Sequence, residues 1–403
     1  MEHLTMSRSQ YCVEKFLDKA GVDSNTFTAK PSFYRRFNNF FTLGWGNAFI
    51  NGDFTPDSDE ALIKMFSRVY HAFGSFLQSN DYAGVRMLQF HTVYHLLNAT
   101  QWFNWQIIRP RYFADKHYEL PPELFEGMLG KYMAYSSGYW NKEITTLDES
   151  QDAKFDLIIQ KLGLKAGDSV LDFGCGFGSF GQYAGKLGIR YVGLNICQAH
   201  LKYAQNLNAY PDLITYLDFN LVTQSVEGLQ SLLKKDLQQF DAVVFIGSIE
   251  HVGWKNYASL YRKLYKLLKP EGQILCHTIG SYLRIPCLDP YITKYIFPDG
   301  QLPTVESMTK ATEAAGFQLM DWHSLETGNN SYAKTLRCWL ANFKENWETI
   351  KPFMPHKDKE KFYREWVFYL MLCIGAFEAK NFINVGHYVF RKIDNSNPFT
   401  VIR

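Results

Sequence analysis

Val170-Leu171-Asp172-Phe173-Gly174-Cys175-Gly176-Phe177-Gly178 reads as a buried strand that runs into a glycine-rich turn and then a helix. Glycines there let the backbone approach a ligand and adopt positive φ without a Cβ penalty. Dinucleotides are bound by the same outline, so the motif alone leaves the nucleotide open. Two details favour S-adenosylmethionine. The spacing is G-x-G-x-G rather than G-x-G-x-x-G, and Asp172 lies just ahead of the first glycine, where a carboxylate can hold an ammonium group directly or through water. Asn195 ends the next apolar run and is suited to a ribose, and Asp218-Phe219 ends the one after, suited to adenine through one carboxylate and one ring face. These positions fall at the carboxyl ends of successive strands, where open α/β sheets bind ligands.

The elements that must position these residues follow from the apolar pattern. From about Phe155 short apolar strands alternate with amphipathic helices. The strands are expected at Ser169–Phe173, Tyr191–Leu194, Ile214–Leu217, Asp241–Ile246 and Gln273–Ile279, with helices at Ala199–Leu207 and Tyr257–Leu268. Such alternation implies right-handed crossovers and a Rossmann-like, doubly wound parallel sheet, an α/β fold. A long apolar helix, Lys361–Ala379, precedes a last strand at His387–Arg391, expected antiparallel on the sheet edge. The first 150 residues read as helical: Leu62, Met65, Phe66, Val69, Phe73, Phe76 and Leu77 recur at helical spacing, and His91–Ile108 continues the pattern. Leu43-Gly44-Trp45-Gly46 and Asn51-Gly52-Asp53 read as turns.

Composition narrows the class. At 403 residues the chain suits one large and one small domain, divided here as 1–110 and 111–403. A net charge of +2 gives no basic field for nucleic acid. Aromatic residues reach 16%, which fits either large apolar pockets and a surface that meets a greasy partner or simply an aromatic-rich core. The seven cysteines form no Cys-x-x-Cys pair, so neither a zinc site nor a disulfide framework is indicated, and a reduced cytoplasmic setting is expected. The N-terminus lacks the apolar stretch of a secretory signal, and no run reaches the roughly 20 apolar residues of a membrane span.

Several further segments occur in a fixed order: Met133-Ala134-Tyr135-Ser136-Ser137-Gly138-Tyr139-Trp140, the glycine loop, Ile249-Glu250-His251-Val252-Gly253, His277-Thr278-Ile279-Gly280-Ser281, Tyr295-Ile296-Phe297-Pro298-Asp299-Gly300, Tyr332 and Cys373. In these segments the chain resembles the cyclopropane-fatty-acid synthases over nearly its whole length. Its N-terminal part is similar to the helical lipid-binding domain of the phospholipid-acting bacterial members. The resemblance implies a class I methyltransferase fold and S-adenosylmethionine as cofactor. It also implies methyl transfer to the cis double bond of a lipid acyl chain. The resulting carbocation then loses a proton from the new methyl and closes a ring. The proton acceptor implied is a bound bicarbonate ion, cradled by Glu250, His277, Tyr332, the backbone of Ile279 and Ser137, with Cys373 nearby. Cofactor contacts carry over to Tyr135, Ser136, Asp172, Gly174, Cys175, Gly176, Gly178, Asn195, His200, Asp218 and Phe219. No metal is implied. A homodimer working on unsaturated phospholipid at the inner face of a membrane is expected.

Departures from the family pattern fall at Ser137, where Cys is usual, and at Asn195–His200. They also fall at Pro121-Pro122 after His117-Tyr118-Glu119-Leu120, and at Gly386-His387, where many relatives carry Trp-Gln. With 14 basic and 16 acidic residues in the first 150, membrane attraction would rest on rings rather than charge. Phe33-Tyr34-Arg35-Arg36-Phe37, Phe40-Phe41 and Trp102-Phe103-Asn104-Trp105, with Arg109 and Arg111, either face lipid or pack the small domain's core. Rival readings are a methyl-branch-forming or amine methyltransferase of the same fold and a lipid-binding protein without catalysis.

Overall fold

A computed structural model describes residues 7–78, 104–109, 120–282, 288–298 and 300–393. Its centre is a seven-stranded sheet in the order β5-β4-β3-β6-β7-β9-β8. The strands are β3 (Ser169–Phe173), β4 (Arg190–Asn195), β5 (Ile214–Asp218), β6 (Phe240–Ile246), β7 (Leu268–Ser281), β8 (Phe317–Ser324) and β9 (Ile383–Lys392). A separate two-stranded pair joins β1 (Phe27–Ala29) to β2 (Phe54–Pro56). β3 to β7 are mutually parallel. Val170, Leu171, Val243 and Val244 are fully buried, as strands covered by helices on both faces require. The chain winds outward from β3 to β5 and then returns to β6, so the strand order reverses beside β3. That crevice is where such sheets receive a ligand.

The last strand departs from expectation. It is antiparallel, but it lies between β7 and β8 rather than at the edge. Val385 to Phe390 are buried, and a strand that deep would leave a row of backbone groups unpaired at an edge. The edge is taken by β8, which the sequence pattern did not reveal. Its central residues Met320, Asp321 and Trp322 are exposed, so its apolar content is too thin to read as a strand.

The N-terminal helices Arg8–Lys19, Pro31–Ile50 and Asp59–Gln78 share one continuous apolar core with the helices Ser331–Glu345 and Lys359–Glu378. The turn expected at Leu43–Gly46 is instead helical and lies inside Pro31–Ile50, beyond a kink at Phe41. The two glycines are there for close approach. A Cβ at Gly44 would come within 1.9 Å of the Arg36 carbonyl, and one at Gly46 within 2.2 Å of the Tyr291 ring. Asn51-Gly52 does form a turn. Phe33, Phe37 and Phe41 are buried in this core and only Phe40 of that group is exposed, so these rings pack inside the protein rather than face outward to a membrane. Most of His91–Ile108, with the ring pair Trp102-Phe103, lies outside the described residues apart from a short helix at Trp105–Ile108, and so do Arg111 and His117–Glu119. Among the described residues no helix is long and apolar enough to cross a membrane.

Candidate active site

Two cavities meet at the carboxyl ends of the parallel strands. The first, about 1250 Å³ of partly open space, is walled by the loops after β3, β4, β5 and β6. Gly174, Gly176 and Gly178 all adopt positive φ, and a Cβ at Gly174 would press on Ser248 at 2.6 Å, so the turn exists only with glycine there. Asp172 at the end of β3 is buried. One carboxylate oxygen accepts from the Tyr191 hydroxyl at 2.6 Å, and the other has no partner. Burial raises its pKa. An orphaned buried carboxylate oxygen on the cavity wall suits a cationic ligand group such as the ammonium of S-adenosylmethionine.

Tyr135, Ser136, Asp172, Gly174, Cys175, Gly176, Asn195, His200 and Phe219 line this cavity. Gly178 stands behind it as the N-cap of the helix Ser179–Lys186. Asp218 is exposed beyond the lining and accepts from Gln198 at 2.7 Å. Asn195 ties down backbone: its amide nitrogen donates to the Gly176 carbonyl, and its oxygen accepts from the backbone of Ile196 and Cys197. The His200 ring stacks on Phe177 with centroids 3.8 Å apart.

Lys154 has no counterpart in the sequence reading. It is fully buried on the inward face of the helix Leu147–Leu162 and lines the same cavity. Its ammonium donates to Ser136 Oγ at 2.9 Å and to Gln151. Burial depresses its pKa, partly offset by the charge of Asp172. A polar pair at two core-facing positions of one helix, Gln151 and Lys154, was the signal that could have revealed it. His251 also lines the cavity, and burial draws its pKa down to about 4.

The second cavity holds about 970 Å³ and is overwhelmingly apolar. Phe41, Tyr70 and Phe73 come from the N-terminal helices, Ile279 from β7, Tyr332 and Leu336 from one C-terminal helix, and Tyr369, Cys373 and Phe377 from the other. The cavities share a partition. Tyr135 of the first touches Tyr369 of the second, hydroxyl to hydroxyl at 3.0 Å, and its ring packs on Phe297. Phe297 also packs on His251.

Of the six residues expected in the cradle, Ile279, Tyr332 and Cys373 line the second cavity, and Glu250, His277 and Ser137 line neither. Glu250, in the turn after β6, accepts the Ile279 N–H at 2.8 Å with one oxygen, while its second oxygen is buried and unpartnered. Burial raises its pKa. His277 is buried on β7, two residues before Ile279, with Nε2 unpartnered. Ser137 is buried, and its hydroxyl donates to the Gly138 carbonyl at 2.9 Å. The segment around it is stapled to the helix of Tyr332, since Gly138 N–H and Trp140 Nε1–H both donate to Thr335 Oγ1 at 3.0 Å. Glu326, not foreseen from sequence, caps that helix by accepting the Tyr332 N–H at 2.9 Å. Cys373 is a wall residue whose thiol burial holds protonated. A buried carboxylate oxygen and an imidazole nitrogen, both lacking partners, fit a small oxyanion that can donate one hydrogen bond and accept others. Among the described residues no acidic, His or Cys cluster could hold a metal.

Residues 108–388 match the family described as mycolic acid cyclopropane synthetase. The chain belongs to the cyclopropane synthase family. It is 33% identical over 396 residues to the cyclopropane-fatty-acyl-phospholipid synthase of Escherichia coli strain K12, covering 94% of this chain and 93% of that one. The cyclopropane synthase MmaA2 of Mycobacterium tuberculosis aligns with a TM-score of 0.60 at 28% identity, over 70% of this chain and 98% of that one. The mycolic acid cyclopropane synthase CmaA1, solved with SAH and CTAB, aligns with a TM-score of 0.59 at 27% identity, over 70% and 98% of the two chains. This cyclopropane synthase family member is therefore an S-adenosylmethionine-dependent methyltransferase with the class I fold, as its motifs implied.

Proposed function

We propose that the enzyme adds a methylene bridge across the cis double bond of an unsaturated phospholipid acyl chain, with bicarbonate as the proton acceptor. The carrying observation is the shared partition. An apolar cavity adjoins the cofactor cavity at the Tyr135–Tyr369 contact, and Glu250, with one carboxylate oxygen left without a partner, is bonded to the backbone of Ile279 in its wall. S-adenosylmethionine supplies an electrophilic methyl. An isolated alkene is a weak nucleophile, so the chain's own residues must align it and keep the site dry. Phe41, Phe73 and Leu372 offer the acyl chain an apolar channel, and Tyr332 offers a ring face to the cation formed on that chain. Asp172 and Ser136 would hold the cofactor, with Lys154 steadying Ser136. Glu250, steadied by the Ile279 N–H on its other oxygen, would accept the hydroxyl proton of bicarbonate, and His277 would fix the orientation of the ion.

The helices of residues 1–110 complete the acyl channel in this reading, and the enzyme works as a homodimer from the aqueous side of a membrane. The test is incubation with methyl-labelled S-adenosylmethionine and vesicles of cis-unsaturated phospholipid. Acyl chains heavier by one CH2, with high-field ring protons in the NMR spectrum, are expected. A methylene branch without ring protons, or methylation of an amine in place of lipid, would refute ring formation.

A further inference from the structure

Two buried histidines meet across the antiparallel pairing of β7 and β9, and only one of them belongs to the set implied by the family resemblance. His277 and His387 are cross-strand partners, with Nδ1 of the first 3.0 Å from Nε2 of the second. Burial draws both well below the ordinary imidazole range, so the pair is neutral and one proton lies between the two nitrogens. The outer nitrogens, His277 Nε2 and His387 Nδ1, are buried without partners.

Two arrangements satisfy the contact. In one, His387 donates from Nε2 and His277 carries its own proton on Nε2. In the other, His277 donates from Nδ1 and presents a bare lone pair at Nε2. The first places both rings in the Nε2–H tautomer, the intrinsically favoured form of a neutral histidine side chain, and the second places both in the disfavoured one. The first also turns a donor rather than a lone pair toward an anion.

The surroundings leave this task to His387. Lys154 acts on both rings only through its charge, and its ammonium is bonded to Ser136 and Gln151. His323 is the cross-strand partner of His387 on β8, half-buried, with its ring on Tyr139. Lys161 beside it is ion-paired with Asp321.

We infer that His387 is a positioning residue that locks His277 in the Nε2–H tautomer, so that His277 meets the oxyanion as a hydrogen-bond donor. The functional half rests on the reading of His277 as a cradle residue. The tautomer itself does not.

The experiment uses the full-length protein carrying 15N-labelled histidine. Long-range proton–nitrogen correlation, assigned with His277→Gln and His387→Gln, is expected to find His277 protonated on Nε2 and bare on Nδ1, without any turnover. Protonation of His277 on Nδ1 overturns the inference. In the ring-formation assay His387→Leu should lower kcat about 10- to 100-fold with the affinity for S-adenosylmethionine unchanged, as losses of orienting partners do. His387→Gln, which retains an N–H donor, should recover most of that rate. Wild-type kcat in His387→Leu, or equal losses in both variants, overturns the positioning role. Undiminished ring formation in His277→Ala would instead sink the cradle reading, which the NMR measurement does not depend on.

Discussion

The two cavities are built in opposite ways. The cofactor cavity is made mostly of loops that follow directly from a strand, completed by the Met133–Ser136 segment and by Lys154 of one helix, so most of its polar groups sit within a few residues of the strands that aim them. The apolar cavity is assembled from side chains as far apart as Phe41 and Ile383, most of them on helices that meet through one shared core. The first depends on backbone shape and a few orphaned polar atoms, and the second on apolar volume. Damage to one should therefore leave the other measurable.

The largest separation is expected from Glu250→Gln. Ring formation should fall at least about 100-fold, the scale of losing a positioned proton-transfer group, while calorimetric binding of S-adenosylmethionine persists. A variant that loses both together would break the distinction between the cavities. Gly174→Ala tests the other side. Its φ of +80° and the approach to Ser248 should cost cofactor affinity, with the fold destabilised by about 1–3 kcal/mol in urea titration. Gly46→Ala probes the joint that brings the N-terminal helices to the acyl wall. Contact with the Tyr291 ring should cost about 1–3 kcal/mol and raise KM for lipid more than for cofactor.

An effect on stability alone concerns Glu326, whose pKa burial raises to about 7. Its folded-state value exceeds its unfolded one, so between about pH 4.5 and 7 the native state holds the extra proton and stability falls as pH rises. The slope should integrate to no more than about 3 kcal/mol and vanish in Glu326→Gln, as denaturation at pH 5, 6 and 7 would reveal.

Legibility followed the same division. Strand β3, the glycine turn and the long helix Lys359–Glu378 could be read directly, because period and turn chemistry are local. Lys154 and Glu326 were missed because a buried charge looks in sequence like an ordinary surface residue. Their meaning lies in Ser136 and Tyr332, which are remote or on another element. Leu43–Gly46 was misread for the converse reason. Glycine marks turns in general, yet here it admits neighbouring backbone and a tyrosine ring.

The sequence by itself determined the parallel sheet, the nucleotide-type crevice and most of the cofactor wall. Strand-to-loop order and side-chain periodicity suffice for those. Tertiary structure alone decided that β9 lies inside the sheet, that the rings near Phe33 serve a core, and that His387 faces His277. Each of these depends on which distant surfaces bury one another, and burial is a property of the packed chain rather than of any segment.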